Sequence, residues 1–214
     1  AEAALPRVFS PLIYVREEDG AATRRRAWET TWRTDAVALR IIEAFTQARL
    51  LVLTGTERGE HQVEVAHEAL LREWPMLRDW IKDRRQALRL RDRIVAEAKA
   101  WAEQGRPAFL LWKHERLAPA RALLEEADLL EPLEQDDRVA DFLKPEVDRL
   151  MAALAHGGPD HTRREDIGRR LAEIGDPRPG VGVKNGLPDL LWCSIPAGEV
   201  EVEGHGRFKV APFL

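Results

Sequence analysis

The residues best placed to do chemistry are His67 and Glu68, in the run Val65-Ala66-His67-Glu68-Ala69-Leu70-Leu71. A His-Glu pair opening a helix invites a zinc-protease reading, which needs a second histidine four residues after the first. Position 71 is Leu, so that chemistry is excluded. The other histidines, His61, His114, His156, His161 and His205, lie in separate segments, and no metal site is expected among them. Cys193 is the single cysteine, which rules out an internal disulfide and a multi-cysteine zinc site and fits a reducing cytosol. No G-x-x-x-x-G-K-[ST] phosphate loop occurs, nor any Gly-Lys pair. No catalytic residue is expected in this chain.

A second group is basic. Arg24, Arg25, Arg26 and Arg33 form a candidate interaction patch, and residues 22–58 hold seven Arg against four acids, a net of +3. A DNA reader would place basic and amide side chains on the outer face of its recognition helix. On the helix expected over Asp35–Ala48, Arg40 and Gln47 are accompanied by Asp35 and Glu43, which phosphates repel. The arginines are expected to meet carboxylates or solvent, and nucleic acid is not an expected partner. Trp74 and Trp101 fall on apolar helical stripes and read as core, whereas Trp28 and Trp32 could either meet a partner or cover the neighbouring hairpin.

The elements that must position these residues follow from periodicity. Val37, Ile41, Ile42 and Phe45 give one apolar helix face, with Asp35 or Thr34 as its cap. Leu50–Leu53 and Val63–Val65 flank a polar, Gly-bearing turn and predict a β-hairpin. Helix, hairpin, helix is the order of a winged helix, with Leu50–Ala66 as the wing. From His67 the pattern is helical, and Pro75 either kinks the helix or opens a new one. Ala87, Leu90, Ile94, Ala98 and Trp101 mark a long helix that Gly105 should end. Residues 116–148 carry four basic and ten acidic side chains, a net of −6.

Helical signals stop at Gly157-Gly158-Pro159, and Thr162 with Glu165 has capping-box spacing. Beyond a Gly/Pro loop at 175–182, Leu190–Ile195, Val200–Val202 and Phe208–Val210 read as three short strands. The whole is expected to be mainly α (α+β): a winged helix over 1–82, a helical connector over 83–156, a linker with a short helix over 157–189, and leading strands over 190–214. A chain of 214 residues with net charge −4 and no membrane-length apolar run fits a cytoplasmic protein. Its stop on the apolar run Val210–Leu214 is expected of a segment from a larger protein.

Val63-Glu-Val-Ala-His67-Glu68-Ala-Leu70-Leu71-Arg72-Glu73-Trp74-Pro75 resembles the winged-helix region that follows the ATPase core in bacterial STAND-class signalling NTPases. Ala48–Val52, Leu77–Trp80 and the arginine-rich Leu88-Arg89-Leu90-Arg91 agree with it, so the resemblance spans about residues 5–130. It implies that His67, matching the histidine of a Met-His-Asp motif, contacts the β-phosphate of bound ADP and holds a closed state, with Glu68 beside it as a second nucleotide-sensing candidate. ADP or ATP with Mg is expected only where the upstream P-loop domain is present, and this stretch itself should hold no cofactor. From about Arg164 onward, Ile167–Gly182 and Leu191–Glu199 are similar to the linker and opening strand of formylglycine-generating-enzyme-type domains, which have a C-type-lectin-like fold. Cys193 matches none of that family's catalytic cysteines.

The expected function is regulatory: coupling the nucleotide state of an upstream ATPase to a downstream lectin-like sensor or effector, in bacterial signalling or conflict. A homo-oligomer is a further expected partner, and no membrane is. The alternatives are part of a formylglycine-generating-enzyme-like protein, a lectin-like ligand-binding receptor, or a DNA-binding winged-helix regulator.

Overall fold

A computed structural model describes residues 5–55, 59–155 and 160–213. It is 54% helical with 17% strand in small antiparallel sheets, a mainly α fold. Two compact units divide it, Ala1–Lys144 and Pro145–Leu214.

The first unit opens with α1 (Leu5–Phe9), a hairpin of β1 (Ile13–Val15) and β2 (Ala22–Arg24), and the short β3 (Ala27–Trp28). A 3-10 turn at Glu29–Trp32 leads to α2 (Ala36–Gln47), whose cap is Asp35: its carboxylate accepts the N–H groups of Val37 and Ala38. The buried stripe of α2 runs through Ala38 and Ile42, with Ile41 and Phe45 partly buried. Val37, expected on that stripe, is exposed. The hairpin is β4 (Leu51–Gly55) with β5 (His61–Val65), and β3 adds to it in the order β3-β5-β4. Then α3 (Ala69–Glu73) ends at Trp74, and Pro75 opens α4 (Pro75–Asp83) as its first residue. There its missing N–H costs no helical hydrogen bond.

The long α5 (Arg85–Glu103) follows and closes as foreseen at Gly105, which sits at φ +82°. Gly105 N–H bonds Ala102 C=O at 3.1 Å and Arg106 N–H bonds Trp101 C=O at 3.0 Å, the paired bonds of a Schellman turn. Beyond it lie α6 (His114–Glu126), α7 (Leu130–Glu134) and α8 (Asp137–Leu143). Helix α6 contains Pro119 in its interior. The lost backbone bond is offset by burial of Leu117, Ala120 and Leu124 on the same helix.

One hydrophobic core spans residues 8–143, continuous across position 82. Two aromatic knots anchor it. Phe9, Phe45 and Trp74 join α1, α2 and the α3–α4 junction with ring centroids 5.7–5.9 Å apart. Phe142 holds Trp101 and Trp112 at 5.7 Å each, tying α8 to the end of α5. Trp32 is also core, 3% exposed, with its indole N–H on the Arg7 carbonyl at 2.9 Å. Trp28, 43% exposed, is the surface member of that pair.

Between the knots, α5 buries a charge. Arg91 is 4% exposed and donates to the Ser10 carbonyl, to Ser10 Oγ at 3.0 Å and to the Ile13 carbonyl at 2.7 Å. Its Nε donates to Asp92 Oδ1 at 2.9 Å, which also accepts from Arg25 at 2.8 Å. Burial lowers the Arg91 pKa to about 10, so the guanidinium stays cationic at neutral pH.

In the second unit, α9 (Glu146–Ala155) and α10 (His161–Ile174) pair through Arg170, whose fork grips Glu146 with two 2.9 Å bonds. The cap of α10 is Asp160, accepting Arg163 N–H at 2.8 Å, two residues before the Thr162 that the capping-box spacing singled out. A two-residue ladder, β6 (Val183–Lys184) with β7 (Leu187–Pro188), precedes the hairpin of β8 (Gly198–Val202) and β9 (Gly206–Val210). Leu190–Ile195 is not the strand expected: it makes only the bridge of Ile195 to Phe213, because among the described residues no strand lies alongside the rest of it. Cys193 is exposed. No helix among the described residues is long and apolar enough to cross a membrane.

Two outcomes follow. Arg91→Met should destabilise the chain by about 3 kcal/mol in urea titration, because it leaves the Ser10 and Ile13 carbonyls without their buried donor and strips Asp92 of one of its two guanidinium partners; a loss below about 1 kcal/mol would show the network to be incidental. Glu97 accepts Trp112 Nε1–H at 2.6 Å and the guanidinium groups of Arg116 at 2.8 Å and Arg93 at 2.9 Å. Burial pushes its pKa up, but these bonds together hold it below the usual carboxylate range. A lowered folded pKa means stability that is full above the unfolded pKa and is lost as pH falls through the folded one. Glu97→Gln should therefore cost about 1 kcal/mol at pH 7, with the gap to wild type closing in acid.

Candidate functional site

His67 sits on the turn between β5 and α3, and its imidazole has no hydrogen-bond partner among the described residues. The turn is fixed by backbone bonds, from Leu70 N–H to the His67 carbonyl and from Leu71 N–H to the Glu68 carbonyl, both 3.0 Å. Neither His67 nor Glu68 caps α3 through its side chain. With five residues, α3 is also too short to bring much dipole to an anion.

The ring lines an open concavity of about 390 Å³ floored by Leu50, Ala66, Ala69, Leu70 and Trp74. Arg49 lines it too. Helix α2 ends in a Schellman turn in which Leu50 N–H reaches the Phe45 carbonyl at 2.8 Å, and this puts Arg49 at φ +60°. Glycine is the ordinary occupant of that position, so an arginine there carries backbone strain on the order of 1 kcal/mol. Arg49 is exposed, and its side chain makes no hydrogen bond or ion pair among the described residues. Sequence reading missed it as a site residue. The available signal was an arginine standing where the end of an amphipathic helix asks for Gly.

The arrangement suits an anion with an apolar body. Arg49 and the His67 imidazole supply N–H donors, Trp74 and Leu70 supply apolar surface, and Glu73 is the one acid on the lining. Glu68, adjacent in sequence, does not share this concavity: it lines a separate cleft with Arg72, Arg78 and Arg85.

The four arginines of the sequence patch do not act together. Arg24 reaches across to the Ala66 carbonyl at 3.3 Å, securing the backbone just ahead of His67. Arg25 bonds the Pro11 carbonyl and Asp92, and Arg26 pairs with Glu64 at 2.9 Å. Arg33 is exposed, and among the described residues it bonds only through its backbone N–H, to the Thr30 carbonyl. Among the described residues no three His, Cys, Asp or Glu side chains gather as a metal centre would require.

These features lie in a stretch with known counterparts. The family model for novel STAND NTPase 1 matches residues 1–108, from α1 through α5, and the chain belongs to that family. No curated protein and no solved structure matches it.

Because the His67 ring is exposed and has no partner among the described residues, His67→Ala should change the stability of this chain by no more than about 0.5 kcal/mol. Trp74→Ala, which breaks the Phe9–Phe45–Trp74 knot, should cost about 3–5 kcal/mol. Chemical denaturation checks both, and a large loss for His67→Ala would mark the histidine as structural.

Proposed function

We propose that this chain is the regulatory and connecting segment of a STAND-type ATPase. It couples the nucleotide state of an upstream P-loop domain to a downstream sensing or effector domain. The observation that carries the reading is the exposed, unpartnered His67 imidazole, on a turn held by Arg24 and beside the strained Arg49. An imidazole and a guanidinium converging on one concavity are suited to a phosphate of bound ADP, and a ligand holds a switch only through contacts that differ between its two states.

The winged-helix reading of residues 1–82 is supported by helix α2 preceding the β4–β5 hairpin and by β3 completing the sheet in the order β3-β5-β4. A core continuous from Val8 to Leu143 then serves as the lever arm: α5 alone is 19 residues, about 28 Å. Close-packed interiors transmit displacement rather than absorb it. ADP or ATP with Mg belongs, on this reading, to the P-loop domain. The reading of 190–214 as leading strands of a lectin-like domain is supported by the β8–β9 hairpin, whose Val200 and Phe208 face is left exposed. The DNA-regulator reading is disfavoured by α2 itself, where Asp35 is committed to the cap and to Arg7, and Arg40 to the Ala36 carbonyl.

The test is His67→Ala and Arg49→Ala in the protein that includes the P-loop domain, measuring retained ADP and assembly mass. Each should speed ADP release about tenfold, the loss of one charge-assisted hydrogen bond, and enlarge the assembled fraction. Unchanged retention and unchanged mass in both variants would sink the reading.

A further inference from the structure

A second cleft, distinct from the His67 concavity, lies between the β1–β2 hairpin and helices α3–α5 and encloses about 580 Å³. Its lining carries Arg16, Arg72, Arg78, Lys82 and Arg85 against Glu68 and Asp79, a net of +3. Arg16 is tied to Asp19 at 2.6 Å and Arg78 to Asp79 at 2.9 Å. Arg72, Lys82 and Arg85 are all exposed and make no hydrogen bond or ion pair among the described residues. The wall that holds them is well braced. Arg89 donates to the carbonyls of Arg16 at 2.9 Å and Glu17 at 3.0 Å, fastening the β1–β2 turn, and the Arg85 stem lies against Gly20. Gly20 has φ +70°, and a side chain there would meet Arg89 at 3.0 Å.

The cleft also contains a sheet edge. Among the described residues strand β2 pairs with β1 alone, which leaves its other edge without a strand. The bonds from Arg25 N–H to the Leu12 carbonyl and from Arg16 N–H to the Ala21 carbonyl fix the ladder phase, with Tyr14 opposite Thr23 as the next bonded pair. That phase turns the backbone N–H and C=O groups of Ala22 and Arg24 outward, away from β1. Ala22 and Thr23 both line the cleft. Successive strand residues point to opposite faces, so a cleft that touches both meets the strand along its edge.

We propose that this cleft binds an extended acidic polypeptide segment, which adds as a third strand along β2 and sets its carboxylates against Arg72, Lys82 and Arg85. Strand addition supplies main-chain hydrogen bonds, and the side-chain positions that recur on one face supply selectivity. The apolar positions of such a segment face away from those cations, toward the half-buried Ala22. A duplex fits less well. Its phosphates present a charge about every 1.7 Å of helix axis, and Glu68 and Asp79 interrupt the cationic lining. The proposal does not depend on the nucleotide reading of His67.

The experiment titrates the full 214-residue chain into a fluorescein-labelled Glu-Val-Glu-Val-Glu-Val peptide at low ionic strength, followed by anisotropy. The peptide should bind, the Lys-Val-Lys-Val-Lys-Val control should not, and R72E/K82E should weaken binding about tenfold while leaving the urea midpoint unchanged. Methylating the peptide nitrogens at one alternate set of residues, odd or even, should abolish binding, whereas the other set is tolerated. Should R72E/K82E unfold the chain, R85Q with the same two methylated peptides decides the matter. Equal binding of the lysine control, tighter binding of a 12-base-pair duplex, or indifference to both methylation patterns would overturn the proposal.

Discussion

The buried guanidinium of Arg91 is the constraint on which the first unit depends. Removing such a charge from water costs several kcal/mol unless its donors are matched. Here they are met by Ser10, the Ile13 carbonyl and Asp92, which also draws in Arg25. The N-terminal segment must therefore reach α5 in one particular path, between α1 and β1. That path places Phe9 against Phe45 and Trp74, and it brings Arg24 within reach of the Ala66 carbonyl. The turn bearing His67 is thus positioned by a charge buried in another helix. Asp92 Oδ2 remains buried without a partner among the described residues, so the network is constrained rather than ideal.

Arg91 also marks where the sequence stopped being legible. The run Leu88-Arg89-Leu90-Arg91 read as an arginine-rich motif on a helix whose apolar stripe was sought in Ala87, Leu90 and Ile94. Period counting sees only apolar residues, so a buried arginine is invisible to it; the structure buries Leu88 and Arg91 and leaves Leu90 partly exposed. What rests on local chemistry was readable: the Asp35 cap, the β4–β5 hairpin, the break at Pro75, the end at Gly105. Each of these is decided by one or two side chains and their immediate backbone. Leu190–Ile195 went the other way because an apolar run becomes a strand only when a neighbour takes its hydrogen bonds.

The same limit applies to the candidate site. His67 could be picked out because its residue type and place at a strand–helix junction are written in the chain. Arg24 and Arg49 could not be assigned. One acts by reaching 42 positions along the sequence to the Ala66 carbonyl, the other by a backbone conformation that arginine rarely adopts. The arginines at 24–26 look like a patch because they are adjacent, but Arg24 ends β2 while Arg25 and Arg26 lie in the link to β3, and their side chains go to three different partners. His67 and Glu68 part for a similar reason, each looking into its own concavity.

The β8–β9 hairpin carries a consequence of its own. Val200 stands opposite Phe208, while Glu199 stands opposite Lys209 and Glu201 opposite Arg207, so one face is apolar and the other sets two acids across from two bases, with Arg207 on Glu201 at 3.2 Å. Sliding one strand by a single residue would turn both acids onto the side of Phe208 and leave Arg207 and Lys209 beside valine. Misalignment is penalised on both surfaces at once. The ribbon therefore carries its own alignment code, and its strands can find the right pairing before anything else covers them.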